Sequence, residues 1–259
     1  MLLASPVREG DDEVRTMNHP RTLDGPVWIA ITVGVLPVIA GHAAYLISAG
    51  DGLVPWCVPY WDGCVSISRA ARHGLANLIF KAVMLPVAGL LLVFWWLAHG
   101  WLGALGRGRM SRHAMLALGA VGAVFLVLYA AFLGVEGSVY QWLRRYGITV
   151  YFAFTVLSQM LLVRLLQHER RVPAALRRGL LMMCAAMLLL GLASVPLQHM
   201  AADRDAAVNR IEWCYALLMT AVFPLVGLAW RRSGVRLAWR AGPHAMLGQP
   251  TDDREGAER

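Results

Sequence analysis

The ionisable side chains that stand inside or beside apolar stretches of this sequence are its candidates for chemistry. His73, Asn77 and Lys81 follow one another at intervals of four residues, which places them on one face of a helix. Glu212 stands just before another apolar stretch, and Asp62 lies in a loop upstream of His73. A histidine beside a carboxylate could transfer protons as an acid/base pair. We therefore take Glu212, His73 and Asp62 as candidate catalytic residues.

A second group of polar side chains offers hydroxyl and cationic groups. Ser66 and Ser68 could position a substrate or act as nucleophiles, and Lys81 and Arg145 could hold a lipid phosphate. With Asn77, these residues form the predicted substrate-binding set. Further polar residues stand at the outer end of the first apolar stretch (His42 and Tyr45) and deeper within the fourth (Tyr151, Thr155, Ser158 and Gln159). Together they predict a polar cavity, although such groups also hydrogen-bond between helices for purely structural reasons, which we favour for the last four.

Known catalytic and cofactor motifs do not accompany these residues. The sequence has no G-x-S-x-G, no H-E-x-x-H and no G-x-x-x-x-G-K-[ST], and no two histidines stand four residues apart. We therefore predict neither a bound metal nor a cofactor.

Six apolar stretches carry the candidate residues. Hydrophobic residues make up 58% of the 259 residues and charged residues only 15%. This composition excludes a cytosolic enzyme, a disordered chain and a disulfide-rich secreted scaffold. The apolar residues gather in blocks of about 20, the length at which a helix crosses a bilayer. We predict an all-α polytopic membrane protein, one bundle of six transmembrane helices at about 27–47, 75–98, 115–133, 148–166, 180–195 and 214–229.

The arginines predict how the bundle is oriented. Seventeen basic residues fall in the two terminal segments and in the connections between spans two and three and spans four and five, and six fall in the other three connections. By the positive-inside rule both termini face the cytoplasm. The net charge of +8 therefore marks topology and does not indicate a nucleic-acid partner.

The terminal segments complete the predicted domain organisation. The first 24 residues lack the basic and apolar regions of a cleaved signal peptide. We expect cytoplasmic tails at 1–24 and 232–259, the second one disordered, around a transmembrane domain at 25–231. Lys81 is the only lysine beside 23 arginines, which is typical of a GC-rich genome, and we expect a bacterial inner membrane.

The four cysteines divide into two pairs. Cys184 and Cys214 fall within spans five and six, where we expect them to pack as small apolar residues. Cys57 and Cys64 flank a short turn on the side opposite the termini, which is oxidising in a periplasm or a secretory lumen. They form either a disulfide, which we favour, or two free thiols.

The polar residues also carry a resemblance to a known family. The segment Ser66-Ile67-Ser68, followed by Ile79-Phe80, and the segment Asn209-Arg210-Ile211-Glu212-Trp213 resemble motifs of the six-span Frag/DRAM/Sfk family. The segments Arg145-Tyr146-Gly147 and Tyr151-Phe152 are similar to a third motif of the family, which has a histidine at the position of Arg145. The family includes the lipid-remodelling factors that act after GPI attachment, and other members are linked to autophagy and phospholipid distribution. The resemblance implies a membrane protein that contacts lipid headgroups on the non-cytosolic side.

Three functions remain as hypotheses. The leading one is a protein that binds, and in one version remodels, a lipid or lipid-linked headgroup in an outward-facing polar cavity. The second is a non-catalytic scaffold that modulates lipid organisation or a partner complex, and the third is a small transporter. Membrane lipid is the expected partner; the sequence identifies no protein partner and no oligomeric state.

Overall fold

The computed structural model describes residues 22–23, 25–235 and 237–238. Within these residues six long helices are long and apolar enough to cross a membrane. The predicted all-α six-helix bundle is therefore confirmed, and the protein is an integral membrane protein. The long helices are α1 (Gly25–Gly50), α4 (Gly74–Ala104), α5 (Arg109–Phe132), α6 (Ser138–Leu166), α7 (Ala174–Met200) and α8 (Arg204–Arg232); the short helices α2 (Pro59–Asp62) and α3 (Ile67–Ala70) lie between α1 and α4.

The helices extend beyond the apolar stretches that predicted them. Helix α8 begins at Arg204 and α6 at Ser138, each ten residues before the expected start. The start of α8 is fixed by Asp203, whose carboxylate accepts the backbone N–H of Ala206 at 2.9 Å. An apolar stretch predicts where a helix enters the hydrocarbon of the bilayer, whereas α8 itself begins earlier, at its capping residue. Helix α7, expected to end before Pro196, continues through that proline to Met200.

The six long helices form a closed ring in chain order. Each packs against the next one along the chain, and α8 packs against α1. A Cβ atom on Gly227 of α8 would lie 3.4 Å from the carbonyl oxygen of Val27 in α1, so α1 begins and α8 ends at the same end of the bundle. We call this the tail end. The opposite end, which carries residues 51–73, is the loop end.

Helices α1 and α8 approach most closely at two small residues. A Cβ atom on Gly34 would overlap the ring of Pro224 and lie 2.7 Å from the carbonyl oxygen of Thr220. One turn further toward the tail end, a Cβ atom on Gly227 would lie 2.9 Å from that of Ala30. Small residues allow two membrane helices to pack backbone to backbone. These glycines therefore hold the first and last helices of the ring together.

Aromatic rings fill the bundle between α4 and α8. Phe94 is fully buried, with ring centroids 4.9 Å from Phe223 and 5.1 Å from Trp230. The neighbouring ring of Trp95 lies edge-on to Phe94 at 5.0 Å and is also fully buried. Offset and edge-to-face contacts of this kind are the favourable arrangements for aromatic pairs.

At the tail end, Glu169 joins two connections and the start of α7. Its carboxylate accepts a bond from Arg107 at 2.7 Å, which is the only ion pair among the described residues. The same side chain accepts the backbone N–H of Arg171 at 3.0 Å, and Arg177 donates to the Glu169 carbonyl at 2.7 Å. The bond from the Arg171 backbone, and then the bond from Arg107, lower the pKa of Glu169 below its ordinary value.

This lowered pKa predicts acid sensitivity at the tail end. The stabilisation is fully present above the ordinary pKa of a glutamate, and it is lost as the pH falls through the lower pKa of the folded state. We expect Glu169→Gln to lower the free energy of unfolding by about 1 kcal/mol at neutral pH and to lose less stability than wild type on acidification. Unfolding of the detergent-solubilised protein followed across an acid pH series measures both effects. An unchanged pH profile in the variant would contradict the assignment.

A two-residue strand pair belongs to a unit separate from Asp24–Val235. Strand β1 (Thr22–Leu23) pairs antiparallel with β2 (Leu237–Ala238), with Thr22 opposite Ala238. These residues fall within the segments predicted as tails at 1–24 and 232–259. Apart from them and residues 232–235, the predicted tails lie outside the described residues.

Candidate functional site

The connection at residues 51–73, which we call the cap loop, is fastened to α8 by two buried hydrogen bonds. The side-chain amide of Asn209 donates to the carbonyl of Gly63 at 2.7 Å. The indole N–H of Trp213 donates to the carbonyl of Val65 at 2.9 Å. Because buried polar groups are costly when unpaired, these bonds fix the position of the loop over the bundle.

The first half of the cap loop is closed on itself. Cys57 and Cys64 are joined as a disulfide, with Cα atoms 6.6 Å apart. The hydroxyl of Tyr45 accepts the backbone N–H of Cys57 at 2.8 Å, which ties the turn to α1. The carboxylate of Asp62 accepts the backbone N–H of Val58 at 2.7 Å. Asp62 is thus placed as a structural group within the turn.

A small cavity of about 60 Å³ lies beneath the cap loop, between α1, α4, α5, α6 and α8. Its wall is largely apolar, and we call it the aromatic cavity after the rings that line it. These rings belong to Tyr60, Phe80, Tyr129, Tyr151, Phe152 and Trp213. Glu212 is the only formally charged side chain among the described residues of this wall.

The carboxylate of Glu212 lies against the start of α3. It faces the backbone N–H groups of Ile67 and Ser68. It makes no ion pair. The only ion pair among the described residues joins Arg107 and Glu169 at the tail end. Glu212 is therefore an acid held by neutral groups, with one side toward an apolar cavity.

His42 and Tyr60 form a hydrogen-bonded pair in the same wall. The Nδ1 atom of His42 lies 2.7 Å from the carbonyl oxygen of Val38, so Nδ1 carries the proton and Nε2 is an acceptor. The hydroxyl of Tyr60 lies 3.2 Å from that Nε2 and donates to it. Burial, and secondarily the nearby Cys214, raises the pKa of Tyr60, so the phenol keeps its proton.

A larger cavity of about 570 Å³ opens at the loop end beside the aromatic cavity. We call it the basic cavity, because Arg72, Arg144 and Arg145 line it and no acidic residue of the described chain does. Burial, and then the positive charges of Arg144 and Arg69, lower the pKa of Arg72. An arginine nevertheless stays protonated in proteins, so the cavity gathers three mutually repelling cations. The remaining lining residues are Ser68, Tyr129, Ser138, Gln141, Trp142, Tyr146 and Ile148.

The two cavities share a wall. Tyr129 and Ile148 line both of them. Tyr129 lines the aromatic cavity together with Glu212, and the basic cavity together with Arg72 and Arg144. One acid and three cations thus line adjoining cavities at the loop end.

Several predicted site residues lie in or beside these cavities. Glu212 lines the aromatic cavity, and Ser68 and Arg145 line the basic cavity. Ser66 caps α3 by accepting the backbone N–H of Arg69 at 3.1 Å. Its hydroxyl also lies 3.3 Å from the hydroxyl of Ser68.

The predicted polar face of α4 is not part of either wall. His73 is exposed just before α4, and Lys81 is half-buried; neither lines either cavity. The side-chain amide of Asn77 donates to the carbonyls of Ala71 at 2.9 Å and Leu133 at 3.1 Å. Asn77 therefore joins the start of α4 to the end of α5.

Two of the four polar groups of α6 connect helices, as the structural alternative predicts, whereas Tyr151 lines the aromatic cavity and the buried Thr155 hydroxyl has no partner among the described residues. The Ser158 hydroxyl donates to the carbonyl of Met115 at 2.7 Å, and the Gln159 amide donates to the carbonyl of Met219 at 2.9 Å. Both side chains are fully buried.

Other cavity residues give weak or no signals in the sequence. Arg72 and Arg144 stand there among the polar residues just before spans two and four, and they also count in the basic set that marks orientation. Tyr129 lies in an uninterrupted apolar stretch, where no pattern distinguishes it from a core residue. Of the pair His42 and Tyr60, the sequence singles out only His42, because it lies three residues from Tyr45 on one helical face.

The described residues offer no candidate metal site. No group of three or more histidine, cysteine, aspartate or glutamate side chains comes together there. The prediction of a site without metal stays a prediction.

No known protein family, curated protein or solved structure matches the chain. The function is therefore argued from the two cavities alone.

Proposed function

We propose that this integral membrane protein binds a membrane lipid by its phosphate, in the basic cavity at the loop end. The observation that carries the proposal is the gathering of Arg72, Arg144 and Arg145 around one cavity, without an acidic partner among the described residues of its wall. Three uncompensated guanidinium groups repel one another, and an anion relieves that repulsion. Arginine is also the residue whose geometry best matches phosphate oxygens.

The size and depth of the basic cavity fit a headgroup. Its volume of about 570 Å³ falls within the range of about 300–1,000 Å³ usual for small-molecule sites. It opens where α6 begins, at the end of the membrane-spanning bundle. Trp142 and Tyr146 are exposed at its rim, and tryptophan and tyrosine favour the depth of lipid headgroups.

The proposed setting follows from the charge distribution. The excess of basic residues in the tail-end connections supports an orientation with that end in the cytoplasm and the loop end outside. The arginine-rich, lysine-poor composition supports the inner membrane of a bacterium. The resemblance to the Frag/DRAM/Sfk family agrees with a headgroup site on the non-cytosolic face.

Binding is better supported than remodelling of the lipid. The only hydrogen bonds of the Ser68 and Ser66 hydroxyls in the described chain are to each other and to the backbone N–H of Arg69, so no histidine activates either serine. The geometry therefore favours recognition of the lipid over a bond-making step.

Removing the three charges tests the proposal. We expect the combined substitution Arg72→Gln, Arg144→Gln and Arg145→Gln to weaken binding of phosphatidylglycerol by the purified full chain by about tenfold or more, because each charged hydrogen bond contributes about 1.5–3 kcal/mol. Arg69→Gln is the matched control, since Arg69 lies in the same loop but does not line the cavity. Native mass spectrometry of the detergent-solubilised protein with added lipid measures both.

Two results would contradict the proposal. One is a triple variant that binds phosphatidylglycerol as wild type does. The other is a triple variant that loses thermal stability at unchanged lipid affinity, which is what the scaffold hypothesis predicts. Diacylglycerol, which lacks the phosphate, should bind wild type and triple variant equally.

A further inference from the structure

The carboxyl group of Glu212 has no cationic partner in the described part of the fold. Among the described residues the one ion pair lies at the tail end, between Arg107 and Glu169. Arg72 and Arg144 line the basic cavity, which shares Tyr129 with the aromatic cavity, and neither makes an ion pair with Glu212. Glu212 and these arginines therefore line adjoining cavities without forming an ion pair.

The wall around Glu212 is suited to a cation. Six aromatic rings line the cavity, and the face of an aromatic ring attracts ammonium groups through its quadrupole. Aromatic rings combined with one carboxylate form the arrangement that recognises amines. The indole of Trp213 and the phenol of Tyr60 are held in place by their bonds to Val65 and His42. The cavity is therefore already shaped before a ligand enters.

The volume of the aromatic cavity limits what it holds. About 60 Å³ accommodates a few water molecules or a small polar group, because one water needs about 10–15 Å³ on this measure. A lipid acyl chain is far too large for it. An ammonium group on a short stem fits.

The charges of the two cavities are complementary to a single zwitterion. The basic cavity needs an anion, the aromatic cavity needs a cation, and both touch Tyr129 and Ile148. We infer that the ligand is a phosphate ester of a small amino alcohol, with its phosphate on Arg72 and Arg144 and its ammonium group against Glu212 among the aromatic rings. This inference rests on the proposed phosphate site and names the headgroup class that the site takes.

A lipid with a phosphate but no amine satisfies only half of this arrangement. It would leave the Glu212 carboxylate without a counter-charge in an apolar wall, which is unfavourable. Discrimination between headgroups therefore resides at Glu212, and affinity for phosphate resides at the arginines. The two properties can be separated by mutation.

The experiment compares lipids that share acyl chains and differ in the headgroup. The full chain in detergent is offered phosphatidylethanolamine, phosphatidylglycerol, and phosphatidylethanolamine whose amine has been acetylated, and binding is followed by native mass spectrometry. We expect wild type to prefer phosphatidylethanolamine over each of the other two by about tenfold, since acetylation removes the ammonium charge. This comparison uses the unaltered protein, so no folding defect can affect it.

Glu212→Gln then tests the assigned residue. We expect the variant to lose the preference for the amine-bearing lipid, so that it binds phosphatidylethanolamine no more tightly than phosphatidylglycerol. Its matched control is Glu136→Gln, an acid at the loop end outside both cavity walls, which should keep both the preference and the phosphatidylglycerol binding of wild type. Lipid binding by the Glu212→Gln variant that still depends on the arginines shows that it is folded at the basic cavity.

The outcomes separate the two proposals. Arginine-dependent binding of phosphatidylglycerol with no preference for the amine overturns the ammonium site and leaves the proposed function standing. A preference for the amine that survives Glu212→Gln also overturns the ammonium site. Absence of any arginine-dependent lipid binding overturns the proposed function and this inference with it.

Soluble phosphoethanolamine distinguishes the two sources of the headgroup. If it displaces phosphatidylethanolamine at comparable concentration, the ligand is the free zwitterion. If the lipid remains bound, the ligand is the membrane lipid. Either result supports a site for a phosphate-linked amine.

Discussion

Replacing Trp213 with alanine is expected to lower the free energy of unfolding by about 3–5 kcal/mol, the usual range for removing a buried tryptophan. The side chain is only 2% exposed, and its indole N–H donates to the carbonyl of Val65. Its ring lies 5.3 Å from His42 and 5.5 Å from Tyr60, both edge-on. The substitution removes this packing and leaves the Val65 carbonyl without its partner.

Denaturant unfolding of the detergent-solubilised protein measures this loss. Trp61→Ala is the control, because Trp61 lies in the same cap loop and is 82% exposed, so its loss should change stability little. Trp213→Phe keeps a ring but not the donor, and we expect it to fall between the two. If Trp213→Ala is no less stable than Trp61→Ala, the cap loop is not anchored as described.

Replacing Gly34 with leucine is expected to force α1 and α8 apart. Even a Cβ atom there would overlap Pro224 and lie 2.7 Å from the carbonyl oxygen of Thr220, and neither group can move without bending α8. Overpacking commonly lowers the free energy of unfolding by about 1–3 kcal/mol. Because the contacts here are with rigid groups of α8, we expect the Gly34→Leu variant to lose about 3 kcal/mol or more. The ring of helices would then open at its closing contact.

Gly89→Leu is the control for Gly34→Leu. It makes the same change inside α4, where a Cβ atom would meet nothing within 4 Å. The yield of monodisperse protein and the unfolding midpoint should fall for the Gly34 variant alone. Equal behaviour of the two variants would show that the close approach of α1 and α8 is not needed.

Hydropathy is sufficient to predict the six helices, but not where they begin. A transmembrane helix must satisfy its backbone internally over the whole hydrocarbon thickness, so a long apolar block leaves little choice of structure. The polar turns before Glu212 in α8 and before Tyr146 in α6 carry no such constraint. The start of α8 is helical because Asp203 caps it, whereas the start of α6 has no side-chain cap and packs through Tyr140 against Phe132 of α5. The apolar pattern therefore places both starts ten residues late.

The site is only partly predictable, for a physical reason. Periodicity shows which residues share a helix face, but not which face meets which. The bond between Asn209 and Gly63 spans 146 residues, and no local pattern indicates it. Glu212 stands out in the sequence because an acid at membrane depth is costly and therefore conspicuous. Arg72 and Arg144 stand among the polar residues before spans two and four, but the sequence alone does not show that these two distant segments line one cavity.

The closed ring has a consequence for how the protein is made. Helices leave the ribosome in chain order, so α1 waits for its partner α8 until the last span is inserted. That span carries Glu212, Trp213 and the amide that holds Gly63. A nascent chain with five inserted helices already has every arginine of the basic cavity, yet has no carboxylate opposite them and nothing to fasten its cap loop. The proposed selectivity for the headgroup is thus acquired only when α8 has been inserted.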